Sequence, residues 1–189
     1  MTVVDIGAHV GWYTLLAARR VGPGGRVFAF EPDPVNYKFL VSNVVANGFR
    51  NVDAIPKAVA DRCGDMRLIL AKENLGGHRL SLDSADQEAV LVKTTTLDAF
   101  FETLSQPPQV IKMDIEGAEG LAWRGMQGLL RRQRDLKIMM EFAPETLARL
   151  GSSPQILFDE FLKAGFVPYR IDEERRQLIP TDVVDLLRV

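Results

Sequence analysis

The chain has 189 residues, with 23 Lys+Arg against 25 Asp+Glu and a formal net charge of −2. That balance argues against a general binder of nucleic acid or of an anionic membrane, either of which would carry a basic surplus. Its one cysteine, Cys63, excludes an internal disulfide and a Cys-rich zinc site.

An apolar content of 47% and a charged content of 25% are ordinary for a globular chain, and the length predicts a single domain over 1–189. The cytosol is the expected compartment, since no apolar run approaches the roughly 20 residues that span a bilayer and no signal-like stretch opens the chain. Val3 to Ile6 reads as a core strand. A domain rarely begins on one, so a preceding segment is expected to be missing, and the edge so left suggests a homodimer. Gly11 to Arg20 follows as a helix with Leu15, Leu16, Ala17 and Ala18 on or near its buried face, stopped by Gly22-Pro23-Gly24-Gly25. Arg26 to Phe30 is a second strand. Pro34 fits the first turn of a helix running to about Asn47, with Gly48 at its C-terminal left-handed position. A third strand lies within Val52 to Val59. Strand-helix alternation of this kind predicts a parallel sheet with helices on both faces and right-handed crossovers.

The pattern then changes. Met66 to Leu70 and Val90 to Thr95 read as strands with no helix between them, which predicts an antiparallel excursion. Leu97 to Leu104 is a short helix broken by Pro107-Pro108, and Val110 to Met113 is a core strand ending at Asp114. A helix from about Ala118 to Arg132, a strand from Leu136 to Phe142 and a helix from Pro154 to Ala164 come next. Val167 to Ile171 and Gln177 to Ile179 have no helix between them and should form a hairpin.

Three motifs carry chemistry. Asp5-Ile6-Gly7-Ala8-His9-Val10-Gly11 ends the first strand, where glycines turn the backbone sharply and admit a ligand without Cβ clashes, ahead of a helix N-terminus. Glu31 ends the second strand about 20 residues later, the position from which an acidic side chain accepts hydrogen bonds from a ribose diol. The glycine spacing is G-x-x-x-G and not the G-x-G-x-x-G of a dinucleotide site, and the carboxylate of Asp5 just before the turn suits a ligand amino group and sulfonium better than a pyrophosphate. S-adenosyl-L-methionine is therefore favoured over NAD. The third motif is Lys112-Met113-Asp114-Ile115-Glu116-Gly117-Ala118-Glu119, at a strand-to-helix junction. Asp114 and Glu116, two apart, are expected to lean to one side and to serve as base and orienting group for a reacting hydroxyl, or to hold a cation. Acidic residues here also suit the helix N-terminus.

With these motifs the chain resembles the FkbM-type methyltransferases, within the class I S-adenosylmethionine-dependent fold. The resemblance rests on Val4 to Gly11 with Thr14, on Phe30-Glu31-Pro32, on Thr96-Leu97-Asp98 and on Ile111 to Glu119. It implies an α/β, Rossmann-like, mostly parallel seven-stranded sheet of order 3-2-1-4-5-7-6. It also implies S-adenosyl-L-methionine held by Asp5, Gly7, Ala8, His9, Gly11, Thr14, Glu31, Pro32 and Asp114, and methyl transfer usually to oxygen. His9 stands where the family often has Asn. The expected acceptor is a hydroxyl on a small molecule or sugar, with no nucleic acid or membrane partner. A nicotinamide-dependent oxidoreductase and a methyltransferase-like binding module without activity are the alternatives.

Six further readings complete the list. His78, in the glycine-bearing segment Asn74 to Ser81, is a candidate proton acceptor on a lid, beside the alternative of an ordinary loop histidine. Glu141 ends its strand facing the same crevice as Asp114, and whether a metal sits between Asp114, Glu116 and Glu141 is open. Asp61 is placed near the adenine. Trp12 and Tyr13 are expected chiefly to pack in the core, Cys63 to be a bystander, and Arg131-Arg132-Gln133-Arg134 to favour a helix C-terminus.

Overall fold

The computed structural model describes residues 1–71, 77–81, 89–104 and 106–187. Its centre is a five-stranded parallel sheet of β1 (Thr2–Ile6), β2 (Arg26–Phe30), β3 (Val52–Ile55), β8 (Val110–Met113) and β9 (Lys137–Met140), in the order β3-β2-β1-β8-β9. β1 is buried along its whole length, as a middle strand covered on both faces must be. Val4, Ile6, Phe28, Phe30, Ile111 and Met113 point to one face and pack with Trp123, Leu129 and Leu157. That face is covered by α4 (Glu119–Arg124), α5 (Gln127–Arg132) and α7 (Pro154–Lys163). On the other face Val3 and Val27 meet Ala18 of α1 (Trp12–Val21), and Ala29 meets Leu40 and Val44 of α2 (Pro34–Ala46). Asp33 caps α2, accepting from the backbone N–H groups of Val35 and Asn36, with Pro34 just inside the helix.

Between β3 and β8 the chain builds a second sheet of order β4-β7-β5-β6 from β4 (Ala58–Val59), β5 (Gly64–Ile69), β6 (Arg79–Ser81) and β7 (Ala89–Thr95). β5 runs antiparallel to both β6 and β7, which is the predicted excursion, but β4 joins β7 in parallel. The stretch read as one third strand is thus two, divided at Pro56 between different sheets.

The sheet has five strands where seven were expected. β10 (Tyr169–Asp172) and β11 (Gln177–Pro180) form the predicted hairpin, but as a sheet of their own. Pro168 and Pro180 sit at its open end, where they remove N–H donors that a wider ladder would use. The single helix expected over 118–132 is interrupted at Gly125. A Cβ there would stand 2.0 Å from the carbonyl oxygen of Ala60, and its own carbonyl accepts from the N–H of Asp98 in α3 (Leu97–Phe100). The carboxylate of Asp98 then accepts from the N–H groups of Gly128 and Leu129, so the Thr96-Leu97-Asp98 motif clamps α5. Two short helices, α6 (Pro144–Arg149) and α8 (Val183–Leu186), were not foreseen; Pro144 at the first turn was the available signal for α6.

Candidate active site

A cleft opens beyond the carboxyl ends of β1, β2 and β8, the place where parallel α/β sheets bind ligands. Gly7, His9, Glu31, Pro32 and Asp114 line its floor, and Leu68, His78 and Leu80 of the antiparallel excursion form its outer wall. Of the predicted residues, these six (the five floor residues and His78) are brought together. Lys57, Ala58 and Val59 close the side beyond Pro32, a contribution that the sequence did not announce.

The floor is built by left-handed backbone. Gly7 has φ 75°, His9 φ 51° and Gly11 φ 97°, a region open to Gly and costly for most other residues. The glycines serve the protein's own packing: a Cβ on Gly7 would lie 2.1 Å from the carbonyl oxygen of Asp114, and one on Gly11 2.8 Å from Leu40 Cδ1. The turn is tied to the second strand, since the N–H groups of Gly7 and Ala8 both donate to Phe30 O.

Glu31 is 5% exposed. One carboxylate oxygen accepts from the N–H of His9 at 2.8 Å and the other from that of Asp33 at 2.9 Å. Burial, the largest cause, pushes its carboxyl up to about 7 despite these two hydrogen bonds. The donors fix the carboxylate plane and leave each oxygen a further lone pair.

Several predicted contacts lie elsewhere. Asp5 is buried, and its Oδ2 accepts from the Thr14 hydroxyl at 2.6 Å while Oδ1 faces the Lys112 ammonium at 3.4 Å. Asp5 and Thr14 therefore hold each other, inside the molecule. Burial raises the Asp5 carboxyl, against the lowering effect of Lys112 and Thr14. Ala8 is buried in the cluster with Ala29, Leu40 and Val44, off the cleft. Asp61 pairs at the surface with Arg62 and Arg124 and does not line the cleft. Trp12 is 77% exposed and Leu16 48%, so neither is core; the ring of Tyr13 lies under Lys112 Nζ at 5.2 Å. Cys63 is exposed, and Arg131 and Arg132 occupy the last turn of α5.

His78 Nδ1 accepts from the backbone N–H of Ala71 at 3.0 Å. The lone pair on that nitrogen is engaged, so the neutral ring carries its proton on Nε2 and presents a donor. Asn74, Leu75 and Gly76 of the expected lid lie outside the described residues.

Asp114 and Glu116 do not share a side as a strand would arrange them. β8 ends at Met113, Glu116 has φ 52°, and the alternation stops with the strand. Asp114 lines the cleft and Glu116 does not. Glu119 is 2% exposed and its Oε1 accepts from the N–H of Ile115, closing the turn into α4, while burial raises its carboxyl. Glu141 follows β9, its N–H donating to Met113 O at 3.0 Å; desolvation first, and then Asp114, Glu116 and Glu119, push its carboxyl up to about 7. Among the described residues no group of three His, Cys, Asp or Glu side chains is arranged to hold a metal ion, and no helix is long and apolar enough to cross a membrane.

This fold is that of Rossmann-like methyltransferases. The chain is similar to the methyltransferase FkbM of Methylobacillus flagellatus KT, at 20% identity and a TM-score of 0.55 over 86% of this chain and 36% of that one. It thus spans about a third of that protein's length. It is also similar to the precorrin-6y C5,15-methyltransferase of Geobacter metallireducens GS-15, at 16% identity and TM-score 0.51 over 96% and 74% of the two chains. A third likeness is to a Streptococcus mutans protein in complex with SAH, at 9% identity and TM-score 0.50 over 89% and 77%. Residues 5–168 match the methyltransferase FkbM domain, and the chain belongs to that family. No curated protein matches it.

Proposed function

We propose that the chain transfers a methyl group from S-adenosyl-L-methionine to a hydroxyl oxygen of a small molecule or sugar. The observation that carries this reading is Glu31, on the cleft floor with one backbone N–H on each carboxylate oxygen and a second lone pair free on each. A ribose diol offers two donors to such a carboxylate. The buried Nε2 of His9, which has no hydrogen-bond partner in the same cleft, adds a polar atom in search of one. These residues fit the cofactor, and the S. mutans relative holds its demethylated product.

S-adenosylmethionine, when bound, supplies an electrophilic methyl sulfonium. The chain's own residues do the rest. Glu31 would orient the ribose, and Gly7, His9 and Pro32, which line the cleft, would hold the cofactor there. Asp114, at the β8 end of the cleft, takes the acceptor's proton, with Glu116 and Glu141 flanking it. Asp5 and Thr14 act from behind the turn.

Calorimetric titration with S-adenosylhomocysteine, with NAD in parallel, tests the reading. Saturable binding of S-adenosylhomocysteine with no heat from NAD is expected. Binding of NAD alone, or of neither, would overturn it.

A further inference from the structure

The helices α1 and α2 lie side by side on one face of the parallel sheet, and the side they turn away from it is apolar. α1 packs inward through Thr14 and Ala18, and α2 through Leu40 and Val44. Helical spacing then sends Trp12 and Leu16 of α1 outward together, and likewise Val35 and Phe39 of α2. Trp12, Val35, Phe39 and Val45 are each more than half exposed, and Leu16 is close to it. The two stripes adjoin. Leu40 stands against Gly11, the residue before Trp12, and Asn43 Nδ2, one turn on from Phe39, donates to Val10 O at 2.8 Å. Single exposed apolar residues are ordinary, but a contiguous patch on two neighbouring helices marks a surface that meets something.

The surrounding charge identifies the partner. Arg19 and Arg20 follow Leu16 by about one turn on α1, Lys38 precedes Phe39 on α2, and Arg50 lies in the loop after α2; all four are exposed. Among the described residues none of the four is ion-paired. Between Gly7 and Val52 the only acids are Glu31 and Asp33, both buried, and Arg26 pairs with Asp53. Aromatic and aliphatic side chains beside unopposed Arg and Lys are the composition of a helix that lies in a lipid headgroup layer, where the long basic side chains lay their stems on the apolar surface and their heads on anions. Trp12 is 77% exposed; it projects as an inserting side chain does, unlike the pocketed anchors of a protein interface. We infer that the outward face of α1 and α2 docks on an anionic lipid surface. Trp12, Leu16, Val35 and Phe39 enter the headgroup boundary, and Arg19, Arg20, Lys38 and Arg50 meet its anions. A second copy of the chain fits poorly, because two such faces bring like charges together. This departs from the expectation of no membrane partner: the whole-chain charge of −2 averages over a face that is wholly cationic.

The chain has two tryptophans, Trp12 on this face and Trp123 in the core, so the exposed one reports on docking. The intact protein is titrated with vesicles of phosphatidylcholine, with and without phosphatidylglycerol. A blue shift of the exposed tryptophan's emission, and its quenching by brominated acyl chains, are expected on the phosphatidylglycerol vesicles alone and should be reversed by salt. Arg19→Gln/Arg20→Gln should weaken binding by roughly 10- to 30-fold. Leu16→Ser/Phe39→Ser should abolish the quenching, with wild-type circular dichroism in both variants because the altered positions are exposed. Absence of binding to phosphatidylglycerol vesicles, equal binding to phosphatidylcholine alone, or binding that leaves Trp12 emission unchanged overturns the inference, and the wild type alone decides these arms. Binding of polyglutamate but not of vesicles overturns it in favour of an acidic protein. Self-association without vesicles that Leu16→Ser/Phe39→Ser abolishes overturns it in favour of a second copy. The titration needs no cofactor, so failure of the wild type to bind S-adenosylhomocysteine breaks the methyl-transfer reading and leaves this result standing.

Discussion

Along the floor of the cleft, each polar group is a strand end held by neighbours close at hand: Glu31 by the N–H groups of His9 and Asp33, Gly7 by Phe30, and Asp114 by Lys112 and by the carbonyl of Ile6 through its own N–H. The outer wall is made differently: Leu68 and Leu80 belong to a small antiparallel sheet, and His78 precedes its strand β6 with Nδ1 accepting from the N–H of Ala71. The floor is backbone geometry that tolerates almost no change, whereas the wall is side-chain packing that can yield.

Substitution on the floor should show this most strongly. Gly7→Ala places a Cβ against the Asp114 carbonyl at a positive φ and is expected to lower stability by about 4 kcal/mol, read by chemical denaturation. A loss below about 1 kcal/mol would show that the floor yields as the wall does. On the wall, Leu80→Ala empties a site that is 5% exposed, at an expected cost of about 2–3 kcal/mol in the same assay. Its S-adenosylhomocysteine affinity should stay within about threefold of wild type, since roughly 0.7 kcal/mol is what a threefold change represents.

Glu31 separates stability from binding. Its carboxyl, at about 7 when folded against an ordinary 4.5, binds more protons in the folded than in the unfolded state between those values. Stability therefore falls as pH rises across that window, by on the order of 3 kcal/mol from this group. Thermal midpoints from pH 4.5 to 7.5 should fall in the wild type and flatten in Glu31→Gln. Affinity for S-adenosylhomocysteine should run the other way, rising with pH toward 7 as the carboxylate forms. It should drop roughly 10- to 100-fold in Glu31→Gln, as loss of a charged hydrogen-bond acceptor implies. The smallest effect belongs to His78. His78→Gln keeps a donor and should bind as wild type does, while His78→Phe should lose about fivefold, close to 1 kcal/mol. A pH-dependent gain in His78→Phe would restore the histidine as a proton acceptor.

Much of this was legible from local rules. The β1 turn, Glu31 at the end of β2 and the start of α2 each depend on residues a few positions apart, so these elements and the floor residues could be read directly, whereas the order of the first three parallel strands followed only from the family resemblance. The predicted roles of Asp5, Ala8 and Asp61 were displaced because a side chain's direction at a strand end or turn depends on what packs behind it. For Asp5 that is Thr14 and Lys112; for Ala8 it is Leu40. Lys112 could have been found from alternation, since Val110 and Lys112 share the face opposite Ile111 and Met113.

The class of fold and the position of the glycine turn were already set by the amino-acid order, because apolar strands, glycines at positive φ and an acidic strand end are conditions met within one short stretch of chain. Packing settled that the parallel sheet has five strands among the described residues, that His78 Nδ1 is taken by the N–H of Ala71, and that Lys112 stands between Asp5 and Asp114. Each of those outcomes is a meeting of groups far apart in the chain or a choice between competing hydrogen-bond partners, and such choices are made by packing.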